Sequence, residues 1–161
     1  SLKSFFQILN KGNNMFKKIF TITSILLLIA CGGGSTAEPT VVNIGSLGAE
    51  MKYDVEEFTV KAGSKVTIVM KNNTPSDFMG AMLHNVVIFK DESAAPMIIE
   101  LAEGNGGEPY SDGRILAMTP LADKQEETSV EFTAPSKPGR YLYVCTYIAH
   151  AGSMRGYMIV E

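Results

Sequence analysis

Lys65-Val66-Thr67-Ile68-Val69-Met70 sets Val66, Ile68 and Met70 on one side of an extended chain and Lys65, Thr67 and Val69 on the other. Side chains of a strand alternate between faces and β-branched residues suit a pleated surface, so the segment reads as a β-strand with one face in a core. Lys61-Ala62-Gly63-Ser64 before it is a turn signal, and Asn72-Asn73-Thr74-Pro75-Ser76-Asp77 after it is a loop by composition. The same signature recurs on both sides. A β pattern starts near Val41, and Tyr53 to Val60 carries alternating apolar positions. His84 to Phe89 is rich in Val and Ile, and Ser129 to Phe132 alternates again. Pro135-Ser136-Lys137-Pro138-Gly139 is a turn, after which Tyr141 to Cys145 and Tyr157 to Val160 close the chain as strands. About seven short strands with turn signals at regular spacing predict an all-β, antiparallel sandwich. No strand–helix alternation supports a doubly wound parallel sheet.

The stretch from about Asp91 to Glu127 differs. Ala94 to Ala102 predicts one or two helical turns, stopped by Gly104-Asn105-Gly106-Gly107, and Ile115 to Met118 predicts one short strand. Long excursions of this kind usually carry function or cover an end of the core. The chain of 161 residues suits one domain, and 45% hydrophobic with 19% charged residues reads as globular. A formal net charge of −3 gives no basic excess for a phosphate backbone, which excludes nucleic acid as a partner.

The N-terminal segment reads as an address. Met15-Phe16-Lys17-Lys18 is followed by an apolar run from Ile19 to Ala30, then Cys31 and Gly32-Gly33-Gly34-Ser35. A basic start, a short apolar core and small residues describe a secretory signal peptide. The run is about a dozen residues, short of the roughly 20 needed to span a bilayer. Leu28-Ile29-Ala30-Cys31 resembles the lipobox of bacterial lipoproteins, which implies diacylation of Cys31 and a membrane-anchored, exported protein. An ordinary cleaved signal with a coincidental Cys is the alternative. The organisation expected is a leader and signal over 1–30, lipidated Cys31 and linker over 31–40, and one domain over 41–161.

Acylation of Cys31 would leave Cys145 as a free thiol outside the cell, where free thiols are unusual. Its context supplies a reason. Tyr143-Val144-Cys145-Thr146-Tyr147-Ile148-Ala149-His150-Ala151-Gly152-Ser153-Met154 places a thiol, an imidazole and a thioether in one loop between two strands. Soft sulfur with imidazole suits copper, and two His, one Cys and a weak axial Met define the blue-copper electron-transfer site. The chain has only two His, so the second imidazole would be His84. The plainer alternatives are a buried structural Cys145, a strand-end His84 and Met154 as core filler. The first fits poorly with the loop spacing. Met158 suits a core strand position better than a ligand position.

These residues resemble the azurin and auracyanin group of the cupredoxins, the blue type 1 copper proteins related to plastocyanin. Cys145-Thr146-Tyr147-Ile148-Ala149-His150 with Met154 matches the azurin ligand loop in spacing, and His84-Asn85-Val86-Val87 resembles the upstream ligand motif. The resemblance covers Val41 to Glu161. It implies an eight-stranded Greek-key sandwich holding one copper ion, cycling between Cu(I) and Cu(II), at one end. It implies His84, His150 and Cys145 as near-trigonal ligands and Met154 as the long axial one. Asn85 would tie the two ligand segments together, with Leu83 and Thr146 flanking the ligands. Three residues depart from azurin: Leu83 stands where azurin has Gly, and Ile148-Ala149 replace Pro-Gly. Met79, Met82, Leu83, Ile148 and Ala149 would form an apolar patch around the exposed edge of His150. Such a patch suits brief encounters of a monomer with redox proteins such as cytochromes or a terminal oxidoreductase.

The function this implies is a one-electron carrier and not an enzyme. Copper delivery or storage is the alternative. Multicopper oxidases and nitrite reductases need additional His-rich sites, which two His cannot build. A binuclear copper site would need a second Cys in the ligand loop, and Thr146 to Ala149 contain none.

Overall fold

The computed structural model describes residues 38–161. The segments expected to be leader and signal, Cys31 and most of the expected linker lie outside the described residues. Among the described residues, eight strands form two sheets, with one helix between strands. The strands are β1 (Thr40–Gly45), β2 (Glu57–Val60), β3 (Lys65–Lys71), β4 (Val87–Phe89), β5 (Ile115–Met118), β6 (Glu127–Thr133), β7 (Gly139–Val144) and β8 (Arg155–Val160). Helix α1 (Ala95–Glu103) follows a 3₁₀ turn over Glu92–Ala94. One sheet runs β1-β3-β6 and the other β2-β8-β7-β4-β5. The architecture is the Greek-key sandwich with a short helical excursion.

The pairing is not wholly antiparallel. β1 lies parallel to β3, and β2 lies parallel to β8. The chain leaves β1, enters the opposite sheet as β2 and returns as β3, so it comes back to its first sheet in the original direction. Parallel neighbours need such a crossover, whereas tight hairpins impose the antiparallel order.

The alternation in β3 works as its sequence predicts. Val66, Ile68 and Met70 are fully buried, and they meet Ile44, Ile88, Tyr143, Met158 and Val160 in the main core between the sheets. A second cluster lies on the outer face of the five-stranded sheet. There Ala95 and Ile98 of α1 cover Val87, Phe89, Leu142 and Val144. β4 is therefore buried on both faces, which explains its unbroken Val-Ile-Phe run.

Two strands are shorter than their sequence pattern. Tyr53 makes only an isolated bridge to Ser46, and β2 starts at Glu57. His84 likewise makes an isolated bridge, to Ala122, and β4 starts at Val87. Between them the Val86 N–H donates to the Thr119 hydroxyl at 3.0 Å rather than to a backbone carbonyl. A side chain standing in the ladder interrupts the strand just where the polar residues His84 and Asn85 enter the interior.

Candidate metal centre

His84, Cys145 and His150 come together at one end of the sandwich. Each offers one donor atom, and the three atoms lie within 4.8 Å of one another. The Cys145 sulfur is 3.9 Å from His84 Nδ1 and 3.5 Å from His150 Nδ1. His84, Cys145 and Met154 are fully buried, and His150 keeps 3% of its exposure. Met154 belongs to the same core cluster as Cys145. Met158 packs in that core from its place in β8, as its spacing predicts.

Backbone hydrogen bonds shape the ligand loop. Cys145 follows β7 directly, and its N–H donates to the Met154 carbonyl at 3.0 Å, so the strand pairing closes the loop at its base. The His150 N–H donates to the Tyr147 carbonyl, and the N–H groups of Ser153 and Met154 both donate to the His150 carbonyl. A ten-residue loop is thereby folded into consecutive turns, with three of its side chains aimed inward. Ala149 adopts φ 64° in this path. Left-handed backbone suits glycine and costs an alanine on the order of 1 kcal/mol. Glycine at this position would remove that cost.

Asn85 joins the two ligand segments. Its Oδ1 accepts from the Thr146 N–H at 2.9 Å, and its Nδ2 donates to the Thr146 hydroxyl at 2.9 Å. The Thr146 hydroxyl donates in turn to the Gly107 carbonyl at 2.7 Å. Tyr53 reaches across the core and donates its hydroxyl to the Asn85 carbonyl. The residues next to His84 and Cys145 are thus cross-braced in the interior, and such bracing fixes ligand orientation.

Some residues of this framework carry no motif in the sequence. Asn72, within a segment that reads only as a loop, is buried and donates to the carbonyls of Met82 and Ala122 at 2.7 and 3.0 Å. The Thr74 hydroxyl lies 3.5 Å from His84 Nε2 and hydrogen-bonds the Gly48 carbonyl at 3.1 Å, so the outward nitrogen of that ring faces a fixed partner. Gly107 has φ 96°, and a Cβ there would lie 2.8 Å from the Tyr147 Cα. Only glycine lets the end of the helical excursion pack this closely on the ligand loop.

Without metal, burial keeps the three donors uncharged. Burial pushes the Cys145 thiol up to about 11, although the backbone N–H groups of Asn85 and Tyr147 pull the other way. Burial, and then the neighbouring His150, lowers His84 to about 4, and burial also lowers His150. Both rings are neutral at pH 7, as metal ligands must be. A buried thiolate has no protein cation to balance it here, whereas a metal ion between the sulfur and the two Nδ1 atoms would. Thiolate, two imidazoles and a neighbouring thioether form a donor set that fits copper.

One consequence is measurable without metal. A histidine titrates near 6.5 in an unfolded chain and near 4 at position 84 in the folded one. Between those values the unfolded chain binds the extra proton, so stability rises with pH across this window. The metal-free protein should lose stability as the pH falls from 7 toward 4, by on the order of 3 kcal/mol from His84. Urea unfolding at pH 7, 6 and 5 measures it, and a profile flat over that range would contradict the burial of a neutral His84.

The apolar residues predicted around His150 are unevenly exposed. Met79 is 90% and Ile148 51% exposed, Ala149 is also exposed, and Met82 and Leu83 are half-buried. Lys124 Nζ donates to the carbonyls of Phe78 and Gly80 and so holds the segment that carries Met79. His150 itself shows far less surface than an exposed ring edge would. Its ring is packed edge-on by Tyr147, with centroids 5.0 Å apart.

Fold and donor set together define a small β-sandwich metalloprotein with one buried sulfur–imidazole centre. Residues 40–161 match the family of copper binding proteins described as the plastocyanin/azurin family, and the chain belongs to it. It is 38% identical over 151 residues to auracyanin-A of Chloroflexus aurantiacus, covering 84% of this chain and 90% of that protein. It is 30% identical over 135 residues to azurin iso-2 of Methylomonas sp. strain J, covering 79% of this chain and 99% of that protein. Among solved structures, the dithionite-reduced auracyanin of Roseiflexus castenholzii superposes with a TM-score of 0.67 at 37% identity, covering 76% of this chain and 97% of the other. The cofactor of the family is copper, in agreement with the donor chemistry. Among the described residues, no helix is long and apolar enough to cross a membrane.

Proposed function

We propose that this protein is a one-electron carrier that holds a single copper ion through His84, Cys145, His150 and Met154. The observation that carries the reading is the burial and cross-bracing of the donors: every candidate ligand is at most 3% exposed, and Asn85 locks the His84 segment to the Cys145 segment. Copper, when bound, supplies one-electron exchange between its two oxidation states. The protein's task is to keep the donor atoms in one arrangement through that change. The loop closure between Cys145 and Met154 and the Asn85–Thr146 bonds do this. Burial keeps water from adding as a further ligand. Two His and one free Cys among the described residues leave no ligands for the additional His-rich copper sites that multicopper oxidases and nitrite reductases need.

The partners of such a carrier are redox proteins, and the exposed apolar residues Met79, Ile148 and Ala149, the last two directly before His150 in the loop, are the surface we expect them to meet. The sequence Leu28-Ile29-Ala30-Cys31 supports an exported lipoprotein held to a membrane through Cys31. Incorporation of labelled palmitate into the wild type but not into Cys31→Ser tests the anchor.

Voltammetry of the copper-loaded protein should give one reversible one-electron couple, and a chelator should remove the copper only over hours. An irreversible couple with copper lost within minutes would instead support delivery or storage, because a delivery site must open to release its cargo.

A further inference from the structure

Glu103 ends α1, and its carboxylate Oε1 accepts a hydrogen bond from the Ala149 N–H at 2.9 Å. This contact spans 46 residues of chain and joins the helical excursion to the position just before His150. Glu103 is poorly placed for the helix itself. The C-terminal end of a helix carries partial negative charge, so a carboxylate in its last turn is unfavourable, and α1 has no basic residue there to offset it. Ala149 is poorly placed for its own backbone, at φ 64° without being glycine. Two locally unfavourable choices meet in one charge-assisted hydrogen bond, which is the stronger kind. The same turn touches the loop twice more, through the Gly107 carbonyl on Thr146 and the Gly107 backbone against Tyr147.

We infer that Glu103 is a positioning residue for the ligand loop: its carboxylate holds Ala149 in the left-handed conformation and thereby fixes the approach of His150 to the metal. Where glycine occupies this position, the backbone adopts φ > 0 without help. With alanine, the loop needs an external acceptor to keep the strained turn closed. The inference rests on the reading of Cys145 to Met154 as a copper-ligand loop, but its first test needs no metal.

The test compares Glu103→Ala and Glu103→Gln in the full chain, each with Ala149 and with Ala149→Gly. Alanine is a good helix former, so the first variant leaves α1 intact. In metal-free protein, Glu103→Ala should speed amide exchange at Ala149 by about fivefold or more, since its N–H then faces water. Glu103→Gln keeps an acceptor oxygen and should restore protection to within about twofold. In copper-loaded protein, Glu103→Ala should speed copper release to a chelator by about tenfold, within the range found when groups supporting a metal ligand are lost. With Ala149→Gly, the effect of Glu103→Ala on release should shrink to under half, because the turn is no longer strained. Exchange at Ala149 accelerated by less than about fivefold in Glu103→Ala, or not restored by Gln, would overturn the inference. So would an effect on release that is equal with and without the Ala149→Gly substitution. A wild type without a copper–thiolate band would instead overturn the reading of the loop, while the amide-exchange result would still decide the role of Glu103.

Discussion

Cys145→Ser should abolish the intense visible absorption of the copper protein and weaken copper binding by more than about 100-fold. Losing a group that merely supports a metal ligand costs about 10- to 100-fold in affinity, and loss of the ligand itself must exceed that. Serine is close to cysteine in shape, but its hydroxyl does not ionise near neutral pH and its oxygen is a hard donor. The substitution removes the only anionic ligand and one of the two soft sulfur donors together. The fold should survive. Sγ lies 3.5 Å from His150 Nδ1, and a hydroxyl there can donate to that neutral ring. Metal-free stability should therefore change by no more than about 1 kcal/mol. Titration with a competing copper chelator and a visible spectrum check both halves. A Cys145→Ser protein that stayed blue would exclude Cys145 as the ligand.

Asn85→Ala should cost the metal-free protein about 2–4 kcal/mol. The side chain makes two buried hydrogen bonds to Thr146, one to its N–H and one to its hydroxyl. Removing one partner of a buried pair costs about 1–3 kcal/mol for the group left unsatisfied, more than the bond's net contribution. The Thr146 hydroxyl keeps the Gly107 carbonyl, so most of the cost falls on the orphaned N–H and on the cavity. The loaded protein should also lose copper faster, because the segments bearing His84 and Cys145 are no longer tied. Chemical unfolding of the metal-free variant measures the first effect. A loss below about 1 kcal/mol would mean that water replaces the amide and that the brace contributes little.

Much of this was legible in the chain because it depends on local periodicity. The alternation of Val66, Ile68 and Met70 names the strand and its buried face. The Gly run after Glu103 ends the helix, and Ile115 to Met118 forms β5 with the predicted bounds. Cys145, His150 and Met154 could be read because a single loop carries them, so spacing in sequence stands for spacing in the fold. His84 lies 61 residues from Cys145, and only the scarcity of histidine and its match to a family motif singled it out.

What escaped the sequence depends on contacts between distant segments. Thr119 interrupts β4 from 33 residues away, and no pattern within His84 to Phe89 foretells it. Asn72 looks like any loop asparagine, yet its amide braces two carbonyls behind His84. The parallel pairing of β1 with β3 follows from a crossover that strand patterns do not encode. The sequence shows Ala149 only as a departure from the Pro-Gly of azurin. Its consequence, a strained φ with a carboxylate 46 residues away to hold it, becomes visible only when the helix and the loop are seen together.

The function proposed for this protein turns on a copper–thiolate bond inside a buried site of two imidazoles and one thioether. The visible and electron paramagnetic resonance spectra of the Cu(II)-loaded protein test it most directly. Delocalisation of the unpaired spin onto the Cys145 sulfur predicts an intense visible band together with a narrow copper hyperfine splitting. A weak visible band with the wide splitting of ordinary tetragonal copper would contradict it.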